Sequence, residues 1–293
     1  MIHYDGKIIV IAGATASGKS AIAIRLAKDI GGYIINGDSR QIYKHLDIGT
    51  AKPTPDEILS DGSWIVGGIK HYLFDFADPK DSYTLYDYQN SVKEILNTKK
   101  GIPILTGGTG LYIDSVIFNY NLKQNTSILD LSSYSVKQLQ DMASKYLPNM
   151  TESDIQNRHR LERVIQREGL GKERGEELEN IYFVLDLEKE MLKERIKERV
   201  ERMFDMGLEK ENRELLDMGY TYNHRALNSI GYREFESFFN GEDSIDVVKE
   251  NIYKNTLAYA KRQRTWFKRN KNSIWSNDYE RILDLASNFI SVE

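Results

Sequence analysis

Residues 13–20 have the types and the spacing that bind phosphate groups. They read Gly-Ala-Thr-Ala-Ser-Gly-Lys-Ser, which fits the phosphate-loop pattern G-x-x-x-x-G-K-[ST] at every position. Two glycines permit a tight turn in which successive backbone N–H groups surround phosphate oxygens. The lysine adds a fixed positive charge, and the final serine hydroxyl can hold Mg²⁺. We therefore expect a polyphosphate or diphosphate site formed by Gly13, Ala14, Thr15, Ala16, Ser17, Gly18, Lys19 and Ser20.

A carboxylate follows the next apolar run of the chain. Residues 37–43 read Gly-Asp-Ser-Arg-Gln-Ile-Tyr and come directly after the run Tyr33–Asn36. If the strands of the two segments are neighbours, Asp38 lies beside the phosphate loop. There it could bind Mg²⁺ or accept a proton from a nucleophile. Asp and Ser are also frequent helix N-caps, so these residues alone leave a capping role open.

A third apolar run, Pro103–Thr106, leads into residues 107–112, Gly-Gly-Thr-Gly-Leu-Tyr. The double glycine lets the backbone and the Thr109 hydroxyl approach a ligand closely. A helix cap preceded by flexible glycines explains the same residues, so both interpretations stay open at this point.

Strands and helices that could position these residues alternate along the first part of the chain. The run Lys7–Ala12 and the two runs above are predicted strands, while Tyr86–Leu96 has the apolar spacing of a helix. This alternation indicates an α/β fold, a P-loop NTPase-like parallel sheet core flanked by helices. Such sheets bind ligands at the carboxyl ends of their strands, where the phosphate loop lies.

The periodicity changes between residues 114 and 180, which are polar and read as short helices and loops. Ile181–Asp186 then has the character of a buried strand, and Glu188–Met203 that of a long helix with a solvated, charged face. We therefore predict a catalytic core with C-terminal helices from residues 1–113 and 181–293. Residues 114–180 would form an inserted small helical domain.

Composition is that of an ordinary globular protein of 293 residues, with 40% hydrophobic and 29% charged residues. No apolar run has the length of a membrane span, and the N-terminus leaves no room for a signal peptide. The chain contains no cysteine, which excludes disulfides, thiolate zinc sites and cysteine nucleophiles. We expect a cytoplasmic protein that does not bind membranes and works as a monomer.

One segment is strongly basic although the net charge of the chain is −4. No acidic residue occurs from Lys254 to Lys271, and seven basic residues fall in that stretch: Lys254, Lys261, Arg262, Arg264, Lys268, Arg269 and Lys271. The segment indicates a polyanionic partner held at one place, although a solvated basic helix has the same pattern.

Taken together, these motifs resemble the tRNA dimethylallyltransferase (tRNA isopentenyltransferase) family. The resemblance runs from the first strand to about Lys268 and is carried by GATASGKS, GDSRQIY, LDIGTAKP, HYLFDFADP, GGTGLY, GYRE and AKRQRTWF, in this order. Ordinary P-loop kinases share only the first motif. Because the chain has no cysteine, it lacks the zinc finger of eukaryotic members, and the resemblance is to the bacterial type.

The resemblance implies transfer of a dimethylallyl group from dimethylallyl diphosphate to the exocyclic amine of the adenosine beside the tRNA anticodon. The phosphate loop and Mg²⁺ would then hold the diphosphate leaving group, and no ATP need be split. Asp38 matches the family's general base, and Thr109 matches a position that contacts the target nucleoside. Arg233 matches a basic residue that reaches the diphosphate.

The resemblance also implies tRNA contacts. The insertion would grip the anticodon stem-loop, with the helix segment His159, Arg160, Leu161, Glu162 and Arg163 touching tRNA. Further contacts are implied for Asp38, Ser39, Arg40, Gln41, Thr109, Lys261, Arg262 and Arg264. Trp266 and Phe267 follow the helical apolar spacing and are predicted core residues.

Two other classes of protein share some of these features. A small-molecule P-loop kinase would explain the phosphate loop and Asp38, but not the insertion or the basic segment. A non-enzymatic RNA-binding protein switched by nucleotide would have no need of Asp38 beside the loop.

Overall fold

The structure is a computed structural model that describes residues 1–122, 129–166, 169 and 173–292. Its centre is an eight-stranded sheet with the order β3-β4-β5-β2-β6-β1-β7-β8. The strands are β1 (Ile8–Gly13), β2 (Gly32–Asn36), β3 (Glu57–Ile58), β4 (Trp64–Val66), β5 (Ile69–Tyr72), β6 (Ile102–Gly107), β7 (Asn180–Leu185) and β8 (Ile274–Trp275).

The central strands are parallel, and their residues are almost all buried. Helices cover both faces of such a sheet, which is why these strands read as continuous apolar runs. In the register, Ala12 pairs with Gly107 and Asn36 pairs with Thr106. The carboxyl ends of β1, β2 and β6 therefore meet at one edge of the sheet.

The helices of the described chain are of very different lengths. They are α1 (Lys19–Ile30), α2 (Leu85–Thr98), α3 (Gly110–Ile117), α4 (Val136–Met142), α5 (Glu152–Ile155), α6 (Arg158–Gln166), α7 (Lys189–Asp205), α8 (Leu208–Asp217), α9 (Glu236–Phe239), α10 (Ile245–Phe267) and α11 (Tyr279–Ser291). Short 3-10 turns cover Leu147–Asn149 and Arg233–Phe235. No helix in the described ranges has both the length and the apolar composition needed to cross a membrane.

A separate apolar cluster lies inside the predicted insertion. It is built around Leu131, Leu139 and Leu161, which join α4 to α6. The first residues of the predicted insertion, by contrast, pack in the main core: α3 runs across residue 114, and Val116 is fully buried against the sheet. Residues 123–128, 167–168 and 170–172 of the predicted insertion lie outside the described residues.

The four predicted strands and the helices at 86–96 and 188–203 are all present, within a few residues of the predicted ends. Strands β3, β4, β5 and β8 were not predicted from the sequence. These strands are two to four residues long and lack an uninterrupted buried run, so they depend on pairing with neighbours.

Candidate active site

The phosphate loop connects β1 to α1 and needs glycine at both ends. Gly13 has a φ of 149°, and a β-carbon there would lie 2.6 Å from the Leu185 carbonyl oxygen. Gly18 has a φ of 92° and occupies the N-cap of α1. The loop is thus held in a conformation that side chains at these two positions would disrupt.

Lys19 lies over the phosphate loop. Its Nζ donates to the Ala14 carbonyl oxygen at 2.6 Å. Burial lowers the pKa of Lys19 to about 8, while Asp38 raises it and Arg199 lowers it further. Ser17 is buried, and its Oγ has no hydrogen-bond partner among the described residues. A cation and an unsatisfied hydroxyl at one loop suit an anionic ligand.

Asp38 begins a turn and not a helix. Its Oδ1 accepts the Arg40 N–H at 2.9 Å, and residues 39–44, all of which are described, contain no α-helix. Asn36 fixes the backbone here, because its Oδ1 accepts the Asp38 N–H at 2.8 Å and its Nδ2 donates to the Asp38 carbonyl at 3.1 Å. Within the described residues, Asp38 Oδ2 accepts no hydrogen bond, and the residue lines a large cavity. This oxygen is the one available for chemistry.

Thr109 connects the loop after β6 to the loop that contains Asp38. It occupies the N-cap of α3, but its side chain makes no capping hydrogen bond. Instead its Oγ1 accepts the Ser39 N–H at 3.0 Å and lies 3.2 Å from the Ser39 Oγ. The Thr109 N–H donates to the Gly37 carbonyl at 3.1 Å. The two loops therefore form one rigid unit beside the phosphate loop.

One cavity of about 1180 Å³ joins the predicted site residues. The phosphate loop contributes Thr15, Ala16, Gly18, Lys19 and Ser20 to its wall. Other predicted residues on the wall are Asp38, Ser39, Arg40, Gln41, Thr109, Arg233 and Arg262. Gly13, Ala14 and Ser17 of the same loop are buried and do not line the cavity.

Several polar residues near the cavity are held by protein groups. Arg40 donates to the Arg225 carbonyl at 2.7 Å, and Gln41 Nε2 donates to the Thr50 and Ala51 carbonyls at 3.1 Å each. Arg233 Nε donates to Glu234 Oε1 at 3.3 Å, and the Arg233 side chain is 44% exposed. The Arg233 guanidinium is thus partly free to reach into the cavity.

The predicted tRNA contacts on α6 lie outside this cavity. His159, Arg160 and Arg163 are exposed, and Arg160 forms an ion pair with Asp154. Glu162 accepts from Arg158 at 2.7 Å and lies 3.2 Å from the His159 ring. Leu161 is fully buried. Its side chain cannot touch a macromolecule, so its predicted contact with tRNA is corrected to a packing role.

The basic segment belongs to α10. Lys261, Arg262 and Arg264 are exposed, and Arg264 pairs with Asp186 at 2.5 Å. On the same helix, Phe267 is buried in the main core, and Trp266 packs against that core. The predicted core role of these two aromatic residues agrees with the structure.

Three arginines of α7 belong to the site although the sequence did not predict them there. Their charges were assigned to a solvated face, but Arg195, Arg199 and Arg202 line the cavity. They are spaced i, i+4 and i+7, which places them on one face of the helix. That spacing was a signal in the sequence, hidden by the many other charges of α7. Gln263 and Tyr259 of α10 were missed as well and also line the cavity.

Magnesium would find few protein ligands here. Over the described residues, no three His, Cys, Asp or Glu side chains come together as a metal site. Mg²⁺ keeps several waters and often uses one or two protein oxygens together with substrate phosphates. Ser20 and Asp38 supply hard oxygen atoms on the cavity wall, so these residues fit a metal that arrives with a phosphate ligand.

A family model described as IPP transferase matches residues 41–270, and one described as Isopentenyl transferase matches residues 6–65. The chain belongs to the IPP transferase family. The resemblance carried by the motifs is thereby confirmed.

Relatives of this IPP transferase family member match it over almost the whole chain. The tRNA dimethylallyltransferase of Acholeplasma laidlawii is 35% identical over 268 residues, covering 89% of each protein. That of Acetivibrio thermocellus is 35% identical over 297 residues, covering 93% of this chain and 92% of the relative. The crystal structure of the full-length tRNA isopentenylpyrophosphate transferase from Bacillus halodurans has a TM-score of 0.71 at 29% identity, covering 98% and 96%. The predicted P-loop NTPase-like α/β fold is confirmed.

Proposed function

We propose that this chain transfers a dimethylallyl group from dimethylallyl diphosphate to tRNA, at the exocyclic amine of the adenosine adjacent to the anticodon. Membership of the IPP transferase family supports the class of reaction. The observation that carries the proposal is the shared cavity, which is lined by both Asp38 and the phosphate loop. A phosphate-bearing donor and a proton-accepting carboxylate are the two groups that this transfer needs.

In the proposed step, the allylic C–O bond of the donor breaks, and its electron pair stays on the diphosphate. The adenine nitrogen forms the new N–C bond, and its proton passes to Asp38. Adenine's amine is a poor nucleophile because its lone pair is delocalised into the ring. A base that removes the proton as the bond forms compensates for this. Asp38 Oδ2 is suited to that role because it has no hydrogen bond within the described residues.

The phosphate loop is proposed to bind the diphosphate through its backbone N–H groups and Lys19. Preorganised donors stabilise a developing negative charge without having to reorient. Ser20, with Asp38 nearby, would hold Mg²⁺, which when bound supplies further positive charge to the leaving group. Arg233 reaches the same cavity and is proposed to add a guanidinium contact.

The anticodon stem-loop is the proposed tRNA contact region. A base stacked in that loop must be splayed out to enter a cavity of this kind. Thr109, with Ser39, Arg40 and Gln41, would position the extruded nucleotide beside Asp38. The exposed cations of α6 (His159, Arg160 and Arg163) and of α10 (Lys261, Arg262 and Arg264) would contact the RNA backbone. Because its substrate would be tRNA, we propose that the chain acts in the cytoplasm, as a monomer.

Mass spectrometry of nucleosides tests this function directly. Unmodified tRNA is incubated with the protein, dimethylallyl diphosphate and Mg²⁺, then digested to nucleosides. We expect a dimethylallyl adenosine next to the anticodon and release of one diphosphate for each group transferred. An otherwise identical incubation without donor serves as the control. Phosphate transfer from ATP to a small alcohol, with no prenylated nucleoside, would instead establish a kinase.

A further inference from the structure

Glu211 of α8 holds a loop that has no role in the proposed chemical step. The loop covers residues 46–53 and reads Leu-Asp-Ile-Gly-Thr-Ala-Lys-Pro, one of the motifs that carry the family resemblance. Glu211 Oε2 accepts the N–H groups of Asp47 at 3.1 Å and Ile48 at 2.7 Å. Its Oε1 accepts the Gly49 N–H at 3.1 Å. Three successive backbone donors of the loop thus converge on one carboxylate.

The same carboxylate joins this loop to the segment of Arg233. The Tyr232 hydroxyl donates to Glu211 Oε1 at 2.7 Å, and Tyr232 is fully buried. A β-carbon on Gly49 would lie 2.5 Å from Tyr232 Cζ, so the loop packs directly on the ring. Arg233 is the next residue along the chain. Glu211 therefore fixes the loop relative to the backbone that carries Arg233.

The loop also contacts the segment of Asp38. Gln41 Nε2 donates to the Thr50 and Ala51 carbonyl oxygens at 3.1 Å each. Gln41 follows Asp38 by three residues, and loop residues 47–53 all line the cavity. The loop is thus linked to both Asp38 and Arg233. A shift of the loop would change the position of one of these side chains relative to the other.

Glu211 and its donors stabilise each other. Burial raises the pKa of Glu211, and the Asp47 carboxylate raises it further. The N–H groups of Ile48 and Gly49 and the Tyr232 hydroxyl lower it, because they donate to the charged form. A carboxylate that is withdrawn from water depends on such donors, and each donor left without its acceptor loses a charge-assisted hydrogen bond.

Other contacts anchor α8 independently of Glu211. Leu215, one turn later on the helix, is buried in the same apolar cluster as Tyr232. Asn212 Nδ2 donates to the Gly231 carbonyl oxygen at 3.1 Å. Removing the Glu211 carboxylate should therefore release the loop and leave the helix packed.

We propose that Glu211 is a positioning residue for the prenyl transfer proposed above. It does not line the cavity. It acts through the loop of residues 46–53, which keeps Gln41 and Arg233 in the arrangement that the transfer needs. Such positioning affects the rate because a displacement of about 1 Å at the reacting groups can lower the rate by about 100-fold.

Hydrogen exchange followed by mass spectrometry tests the fixation of the loop without requiring prenyl transfer. Glu211→Gln replaces one acceptor oxygen by an N–H₂ group, which cannot accept from the loop. We expect the amides of a peptide covering residues 46–53 to exchange about 10-fold faster, and those of the phosphate loop to be unchanged. Glu214→Gln is the matched control, because Glu214 is an exposed residue of the same helix and pairs with Lys210 at 3.5 Å.

Steady-state prenyl transfer, measured well below the melting temperature, separates positioning from stability. Glu211→Gln should lower kcat by about 10- to 100-fold and leave the KM for tRNA within about three-fold of the parent. Glu211→Asp keeps the charge on a shorter side chain and should restore part of kcat. A folded Glu211→Gln protein with parental kcat, or with parental exchange in the loop, would overturn the inference.

Two further outcomes are decisive. If Glu211→Gln does not fold, parental kcat and parental loop exchange in Glu211→Asp would overturn the inference as well. A parent protein that transfers no prenyl group would refute the proposed function, whereas faster loop exchange in Glu211→Gln would still establish that Glu211 fixes the loop.

Discussion

Gln263 and Thr15 are joined across the two ends of the chain: Gln263 Oε1 accepts the Thr15 N–H at 2.8 Å. The same amide donates from Nε2 to the Gly108 carbonyl at 2.8 Å. Gln263 is 5% exposed, and a β-carbon on Gly108 would lie only 2.3 Å from its Nε2. One side chain of α10 thus holds both the phosphate loop and the loop of Thr109.

Replacing Gln263 should loosen both loops together. Gln263→Leu leaves a buried carbonyl and a partly buried N–H without partners, so we expect a loss of about 1–3 kcal/mol in the free energy of unfolding. The KM for the donor should rise as well, since the phosphate loop loses its brace. Urea unfolding and steady-state kinetics measure the two effects. Thr265→Ala, an exposed change on the same helix, is the control; equal stability of the two variants would contradict the prediction.

Diphosphate affinity should depend on the protonation of Lys19. Its pKa is lowered to about 8, so the side chain is charged below that pH and loses its charge above it. Affinity for inorganic diphosphate should therefore decrease as the pH rises through 8. Lys19→Arg keeps its charge in this range, so its affinity for diphosphate should not decrease as the pH rises through 8. Lys19→Ala should abolish turnover. Calorimetry between pH 6.5 and about 9.5 checks this; inhibition by diphosphate that is unchanged in Lys19→Ala would count against the loop assignment.

Asp38 should act in the chemical step. Asp38→Asn keeps the shape and can still accept the Arg40 N–H, but it cannot take a proton from the amine. We expect turnover to fall by roughly 10²–10⁴ with donor affinity nearly intact. Single-turnover prenyl transfer beside a thermal melt separates chemistry from folding, with Asp38→Ala as the variant that also loses the turn. Transfer by Asp38→Asn within a few-fold of the parent would exclude Asp38 as the base.

The exposed arginines of α6 should contribute to tRNA binding through counterion release. Arg160→Gln/Arg163→Gln should raise the KM for tRNA and spare that for the donor. The slope of log affinity against log salt should decrease by at most about two, one for each RNA phosphate that is no longer neutralised. Lys210→Gln/Arg213→Gln on α8 removes two exposed cations outside the predicted RNA surface. If the α6 variant changed only the KM for the donor, the role given to α6 would be wrong.

Asp114 should make stability depend on pH. Burial raises its pKa to about 6, although the Trp266 Nε1–H, donated at 2.7 Å, and two arginines lower it. The unfolded carboxyl ionises first as the pH rises, so stability from this group is present below about pH 4 and lost by the time the pH passes 6. Asp114→Asn can still accept from Trp266 and should remove this loss, at most about 3 kcal/mol. Urea midpoints of the parent and of Asp114→Asn are measured across this pH range, and the difference between them should grow with pH. A constant difference would refute the prediction.

Local patterns in the sequence determined the elements and the groups that carry the chemistry. The run Lys7–Ala12, the two glycines of the phosphate loop and Lys19 predict strand, turn and helix from neighbouring residues, because backbone conformation and apolar periodicity act over short distances. The same holds for Asp38 and Thr109, each placed at a strand end. These interactions are local, so no knowledge of the rest of the chain was required.

Tertiary structure alone decided which side chains meet. The order β2-β6-β1 brings Asp38, Thr109 and the phosphate loop to one edge of the sheet, and strand order is not written in any single segment. The fold brings Arg199 close enough to Lys19 to lower the pKa of Lys19, whereas the charge pattern of α7 is equally that of a solvated helix. Gln263 meets Thr15 across 248 positions. Contacts of this kind arise from which buried faces fit together, and that depends on the whole core.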